Sequence, residues 1–407
     1  MHFDVIIIGM GLSGLMAAKT AVEMGKKVLI IGKGLGTLSI FSNTVDILGI
    51  LPPTTKMKDG LSQWIKDHPD HPYGKVGLEK IDESLSAFIT LFPPPYSFQA
   101  IGETNCFIPT GAGTLRPAYL IPATMMAGES LKGGDGLIVG FKGFKDFFAT
   151  QVAKPFKCRG LMVSLPDSSH QEITATALSR LMEKPSFRKT LSMEVKKNMN
   201  NESRVGFPAI LGIHQPIEVK KDLEERMGVQ VFEIPILPPS IPGMRIFNRF
   251  KAWLIQRGAT FLLGHSVSKT ILKGKYCKGI EVLHAPVVNS YSADRYILAT
   301  GRFIGGGLKA DQEKISEPLL GLSVFQPPSR QGWFEKTFFS DQPHPIHHAG
   351  ALIDPSFRPV DEKGELLLEN LWVAGTMLAH HHCTDEKSRE GIEITTGYMA
   401  AQKALET

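Results

Sequence analysis

Gly9, Gly11 and Gly14 follow the spacing G-x-G-x-x-G, and the chemistry this spacing serves is the seating of a diphosphate. The first glycine permits a tight turn, the second lets a phosphate approach the main chain, and the third lets a helix pack close to the strand behind it. The amides of Leu12, Ser13 and Gly14 then lie at a helix N-terminus, where unpaired N–H groups and the positive dipole end favour an anion. One part of the pattern is missing. Where the second strand of such a unit ends, a carboxylate usually takes ribose hydroxyls, but this sequence reads Gly32, Lys33, Gly34. Lys33 is a candidate for a 2′-phosphate, and the hydroxyl-rich stretch after it offers Ser39 and Ser42 as donors to a ring or a phosphate. Asp46, in the same stretch, reads as a turn cap.

Other residues carry chemistry of their own. Arg116, in TGAGTLRP, can clamp a carboxylate or phosphate with its planar fork, or form a surface ion pair. Arg245 and Arg249 are further candidate anion contacts, near the start of a helix read from LPPSIPGMRIFNRFKAWLIQRG. Ser240 caps that helix, Pro242 fits its first turn and Gly258 ends it. His380, His381, His382 and Cys383 are adjacent, so they cannot all face one ion on a regular element. No metal site is expected from them or from His344, His347 and His348. Proton transfer is the role assigned to His382 instead. His68 and His71 read as surface turn residues. Cys106, Cys158, Cys277 and Cys383 lie far apart with no C-x-x-C pair, which is neither an iron–sulfur nor a zinc-ribbon pattern.

These groups need elements to position them. Phe3 to Ile8 is a short apolar run suited to a parallel strand buried on both faces. A helix from near Ser13 to Gly25 and a second strand, Val28 to Ile31, complete the nucleotide unit. Residues 136 to 236 alternate strand-like GLIVGF, LMVSLP, PAILGI and VQVFEIP with helical stretches, which points to an inserted α/β domain. GATFLLGHSVSKTIL and YCKGIEVLH read as a hairpin leading back to the first sheet through RYILATG. In flavoproteins built on such a unit the return strand ends beside the cofactor, so Thr300 and Gly301 join the candidate set, with Val267 on the ribbon. Gly305, Gly306 and Gly307 would let the main chain come close to a ligand. Leu371 to Ala374 is another buried strand, ending at Gly375 and Thr376. A last helix, starting near Gly391, would point the amides of Gly391 and Ile392 at the pyrimidine side of a flavin. The expected class is α/β, a Rossmann-type dinucleotide-binding domain carrying an inserted α/β cap or substrate domain. The first is expected over residues 1–50, 258–310 and 361–407, and the second over 51–257 and 311–360.

Composition narrows the function classes. At 407 residues the chain is too long for one ordinary core. A net charge of +5, with both signs mixed along the chain, argues against a dedicated nucleic-acid binder. No apolar run approaches the roughly 20 residues that span a bilayer. The first residues form a strand rather than a leader peptide, so a cytoplasmic protein is expected, with any membrane association peripheral or through a partner.

FDVIIIGMGLSGL, SNTVDIL followed by HPY, GTLRP, LPPSIPGMRIFN, ILATGRFIGGGL, EPLLGL and NLWVAGTMLA together resemble the B subunit of the anaerobic glycerol-3-phosphate dehydrogenases, in order along the whole chain. The resemblance implies a flavoprotein that works with two other chains. A sister protein, the A subunit, holds FAD and oxidises sn-glycerol 3-phosphate to dihydroxyacetone phosphate. The iron–sulfur C subunit docks on the inner membrane face and passes electrons to quinone. The B subunit is credited with FMN, which fits the missing carboxylate at Gly32, while the intact glycine turn keeps FAD open. Thr376 stands where many FAD enzymes place an aspartate on the ribityl chain, and the segment from His380 to Glu390 departs from a glycine-rich version. If a phosphorylated substrate binds this chain, Arg116, Arg245 and Arg302 are its expected contacts. The alternatives are a free-standing FAD oxidase or reductase for another small anion, and a non-catalytic scaffold protein of the complex.

Overall fold

Val5 to Ile8 are all buried, because the strand His2–Ile8 is covered on both faces and therefore shows no alternation. It pairs in parallel with Val28–Gly32 on one side and with Val287–Leu298 on the other, in register Val5↔Val28 and Ile8↔Leu298. Thr260–Leu263 extends the sheet beyond Val28–Gly32, and Leu371–Val373 pairs in parallel with Val287–Leu298. The twelve residues of Val287–Leu298 serve twice. Their first half forms an antiparallel ribbon with Tyr276–His284, which pairs in turn with Ser266–Lys273, and their second half enters the parallel sheet. The hairpin and return strand expected from the sequence are thus two parts of one seven-stranded sheet.

The computed structural model describes residues 1–131, 133–164, 172–284, 287–340 and 342–406. Two compact units emerge: Met1–Thr37 with Met57–Leu91 and Asn248–Thr407, and Leu38–Lys56 with Phe92–Phe247. These bounds differ from the expected ones. Residues 57–91 and 311–360 belong with the nucleotide sheet, and 38–50 do not. Side-chain partners explain the first difference: Tyr398 donates to Glu83 (2.9 Å), Arg249 donates to the Leu91 carbonyl (2.8 Å), and the Phe88 and Phe250 rings lie 6.3 Å apart.

In the first unit, the helix Leu12–Glu23 is buried on every side from Leu12 to Ala21. It is held between its sheet and the helix Arg389–Glu406, where Gly397 is needed because a Cβ there would strike the Ser13 main chain. The second unit has its own parallel sheet, in the order Gln230–Ile234, Arg204–Pro208, Gly136–Phe141, Arg159–Val163. Its core includes Leu137, Ile138, Val205, Phe207, Val231 and Phe232, with Leu178, Leu191 and Leu223 contributed by helices. Leu165 and Pro166, the end of the expected strand LMVSLP, lie outside the described residues.

Candidate functional site

The glycine turn sits where the strand His2–Ile8 gives way to the helix Leu12–Glu23. Gly9 has φ +122°, and a Cβ on it would collide with the Ala299 carbonyl. A Cβ on Gly14 would collide with the Gly9 carbonyl, so this glycine brings helix and strand together. Gly11 is different: a Cβ there would meet nothing within 4 Å among the described residues. Leu15 donates to Gly11 as the first helical bond (3.0 Å), and among the described residues the amides of Gly11, Leu12, Ser13 and Gly14 have no acceptor. Leu12 is fully buried, and the Ser13 hydroxyl donates to the Glu393 carbonyl (3.1 Å), so neither side chain faces the turn's open side. Lys33 is exposed beyond the second strand.

Around this turn, Thr300 and Gly301 follow the return strand just past its end at Leu298. The run Gly305 to Gly307 does not make room for a ligand. It folds back on its own chain, where a Cβ on Gly307 would lie 2.6 Å from Thr300 Oγ1, and one on Gly305 would collide with the Thr300 carbonyl. Val267 pairs with Val282 on the ribbon. Gly375 has φ +87° and donates to Thr396 Oγ1 (2.8 Å), while the Thr376 carbonyl is taken by Arg302. The last helix begins at Arg389, two residues before the expected start. Ile392 therefore donates to the Ser388 carbonyl (2.9 Å) and has no amide to offer a flavin, which leaves Gly391 in the first turn.

The arginines are corrected by their partners. Arg245 is buried, grips Glu233 through two bonds of 2.8 Å and gives its Nε–H to the Gly212 carbonyl (2.8 Å). It is a structural ion pair, not an anion receptor. Arg302 donates to the carbonyls of Thr376 (2.5 Å), His347, Leu378 (3.3 Å) and His381 (2.9 Å), so its fork is spent on stitching loops together. Arg116 pairs with Asp46, which is a buried counter-ion and not merely a turn cap, yet 31% of the arginine side chain is exposed. In the same unit the Ser39 carbonyl accepts from the Ser240 amide (2.9 Å), and the Ser42 hydroxyl meets that of Thr44 (3.0 Å).

Arg302 anchors a histidine cluster that the sequence shows only in pieces. His347 and His382 stack with centroids 4.3 Å apart and 5° between planes, and His348 lies edge-on to His382 at 5.9 Å. His382 Nδ1 meets Asp385 (2.8 Å). His71 is 2% exposed, not a surface residue. Its Nδ1 accepts from the Tyr73 amide (3.1 Å), so the proton sits on Nε2, which donates to Glu386 (3.2 Å). Glu386 also accepts from the His382 amide (2.6 Å) and the Ser388 hydroxyl (2.7 Å). Burial, followed by the His347 charge, pushes His382 down to about 4, and burial likewise holds His381 well below the ordinary range. Both rings are neutral at neutral pH. No group of His, Cys, Asp and Glu among the described residues has the geometry of a metal site.

The sequence held one usable signal for this cluster: His71 before Pro72 is an N-cap pattern, which places the ring against the chain it caps.

A model described as an FAD binding domain matches residues 4–391. A relative from Halobacterium salinarum, named as the probable B subunit of an anaerobic glycerol-3-phosphate dehydrogenase, is 31% identical over 99% of this chain and 98% of its own length. The chain belongs to this FAD-binding family. A Vibrio cholerae member, named as the B subunit of the anaerobic glycerol-3-phosphate dehydrogenase, is 28% identical over 100% of this chain and 97% of its own. Among solved structures, a 3-ketosteroid Δ1-dehydrogenase from Sterolibacterium denitrificans matches with a TM-score of 0.46 at 13% identity, covering 100% of both chains. The α/β flavoprotein class expected from the sequence is the class of this family. The first unit fits a flavin by its own geometry: open space over Gly11, and the amides from Gly11 to Gly14 without acceptors. No helix among the described residues is long and apolar enough to cross a membrane.

Proposed function

We propose that this chain is the flavin-holding B subunit of a glycerol-3-phosphate dehydrogenase. It takes electrons released when sn-glycerol 3-phosphate becomes dihydroxyacetone phosphate and relays them towards quinone through partner chains. The observation that carries this reading is the open side of Gly11, on a turn closed everywhere else by its own chain. Near full-length likeness to relatives that are named as the B subunit of this dehydrogenase supports the substrate and the existence of partner chains, which the resemblance read from the sequence makes a sister A subunit with FAD and an iron–sulfur C subunit.

A bound flavin supplies an acceptor that takes two electrons and can part with them singly. The residues of this chain do the rest. The amides from Gly11 to Gly14 hold phosphate, Thr300, Gly301 and Thr376 flank the seat, and the first turn of the last helix offers the Gly391 amide to negative charge on the ring. His382, neutral and stacked on His347, receives the proton that leaves with oxidation, with Asp385 at its other nitrogen. We keep Arg116, whose side chain is 31% exposed while paired with Asp46, as the candidate for the substrate phosphate. The protein works in the cytoplasm and reaches the membrane only through its partners.

A specific observation favours FMN. Gly32 occupies the ribose-carboxylate position, and a Cβ there would meet Met10 Cγ at 2.7 Å, so the thioether fills the space an acidic side chain would use. The test is the visible spectrum of the purified chain, then release of the cofactor and chromatography against FMN and FAD. Released FMN supports the relay reading. Released FAD that turns over substrate without partners favours a free-standing enzyme, and a protein that stays colourless after reconstitution favours a scaffold.

A further inference from the structure

Glu393 is a buried acid to which the preceding scheme gives no task; it is 5% exposed, in the second turn of the helix Arg389–Glu406. Its carbonyl accepts from the Ser13 hydroxyl (3.1 Å) and its carboxyl accepts from the Thr37 hydroxyl (2.8 Å). Thr37 follows Gly36, where a Cβ would lie 3.1 Å from Gly11 Cα. The acid is therefore tied at both ends to segments that frame the glycine turn.

Its surroundings do little to favour a charge. Arg389 already donates to Glu390 through bonds of 2.5 and 3.0 Å. The titratable groups that face Glu393 are Arg389 and Glu390 on its own helix and the Cys383 thiol of the preceding loop, while Ser13 and Thr37 are neutral. Burial pushes Glu393 up to about 7; the Glu390 charge adds to this, and Arg389 and Thr37 oppose it. Burial holds the Cys383 thiol near 11, so it stays uncharged between pH 6 and 8.

Nucleotide units of this kind use carboxyl groups to hold polyol hydroxyls, and the two expected positions here carry Gly32 and Thr376. We propose that Glu393 replaces them: its carboxyl, protonated when the flavin is seated, hydrogen-bonds the sugar-chain or phosphate oxygens of the cofactor, and flavin retention therefore depends on pH. The inference rests on the flavin lying over the Gly9 to Gly14 turn. Ionised, the same group would set a negative charge beside a phosphate, which binding resists. The sign follows from linkage. A group that must be protonated in the complex weakens binding as pH rises through its free value, by about tenfold between pH 6 and 8 for a value near 7.

The experiment titrates FAD, whose diphosphate keeps a constant charge over this range, into the deflavinated full chain at pH 6, 7 and 8, read by quenching of flavin fluorescence. Glu393→Gln retains an acceptor for Thr37 and gains a permanent donor. Thr37→Val removes a hydrogen bond that favours the ionised carboxyl. The expected results are a native dissociation constant about tenfold larger at pH 8 than at pH 6, a flat profile for Glu393→Gln, and a midpoint moved to higher pH for Thr37→Val. A native-like slope in Glu393→Gln, a pH-independent native protein or an unmoved midpoint in Thr37→Val overturns the role of Glu393. Failure of the native chain to bind either FAD or FMN at any of the three pH values instead strikes the flavin seat itself, and the inference falls with it.

Discussion

At the scale of single residues, the three glycines of one motif do different physical work. Gly14→Ala places a methyl against the Gly9 carbonyl, so it should push the helix off its strand and cost about 1–3 kcal/mol, visible as a lower melting temperature with or without flavin. Gly11→Ala has nothing within 4 Å to strike. It should melt like the native chain yet lose tenfold or more in flavin affinity; equal affinity would mean the phosphate lies elsewhere. Arg245→Ala leaves Glu233 buried without its cation, so the expected effect is a loss of about 3–5 kcal/mol in stability, measured by denaturant unfolding, and no specific rise in KM. The motif itself was legible, because its glycines act through main-chain geometry over six residues. The arginines were not: Arg245 is twelve residues from Glu233, and Arg302 reaches carbonyls some 45 to 79 residues away, distances over which spacing says nothing of partners.

At the scale of elements, the loop from His380 to Ser388 is organised by its own acids, Asp385 and Glu386, and by histidines from other segments. His347, His348, His380, His381 and His382 are all pulled below their ordinary value, first by burial. Their folded values lie below the unfolded one, so the unfolded chain takes up more protons as pH falls from about 6.5. The histidine contribution to stability should then be complete above about 6.5 and be lost towards about 4, where His382 protonates in the fold. Glu393, raised to about 7, works in the opposite direction between about 7 and its unfolded value. Thermal melting followed from pH 7 to 5 should show a falling midpoint, and His382→Gln should make that fall shallower. In Glu393→Gln, where that opposing acid is gone, a midpoint that rises on acidification would show that these rings are charged in the fold. Strand and helix identities in this region were readable from apolar runs, whereas the helix start was set two residues early by Ser388, whose carbonyl takes the Ile392 amide.

At the scale of the whole molecule, an α/β flavoprotein with a second α/β unit was legible, since alternation of apolar strands and amphipathic helices survives insertion. The unit boundaries were not, because residues 57–91 join the nucleotide sheet through side chains near 250 and 398 rather than through any local signal. That long reach has a consequence for biosynthesis. Ser13 is met by Gly375, Glu393 and Gly397, so a helix made among the first residues waits for some of the last before its outer face is covered. A ribosome adding about 5–20 residues per second needs tens of seconds to supply them. During that interval the apolar face of Leu12–Glu23 is open to chaperones or to misassembly. Chains stalled before residue 389 should bind chaperone and no flavin, and cofactor uptake should begin only once the segment through residue 397 has left the exit tunnel.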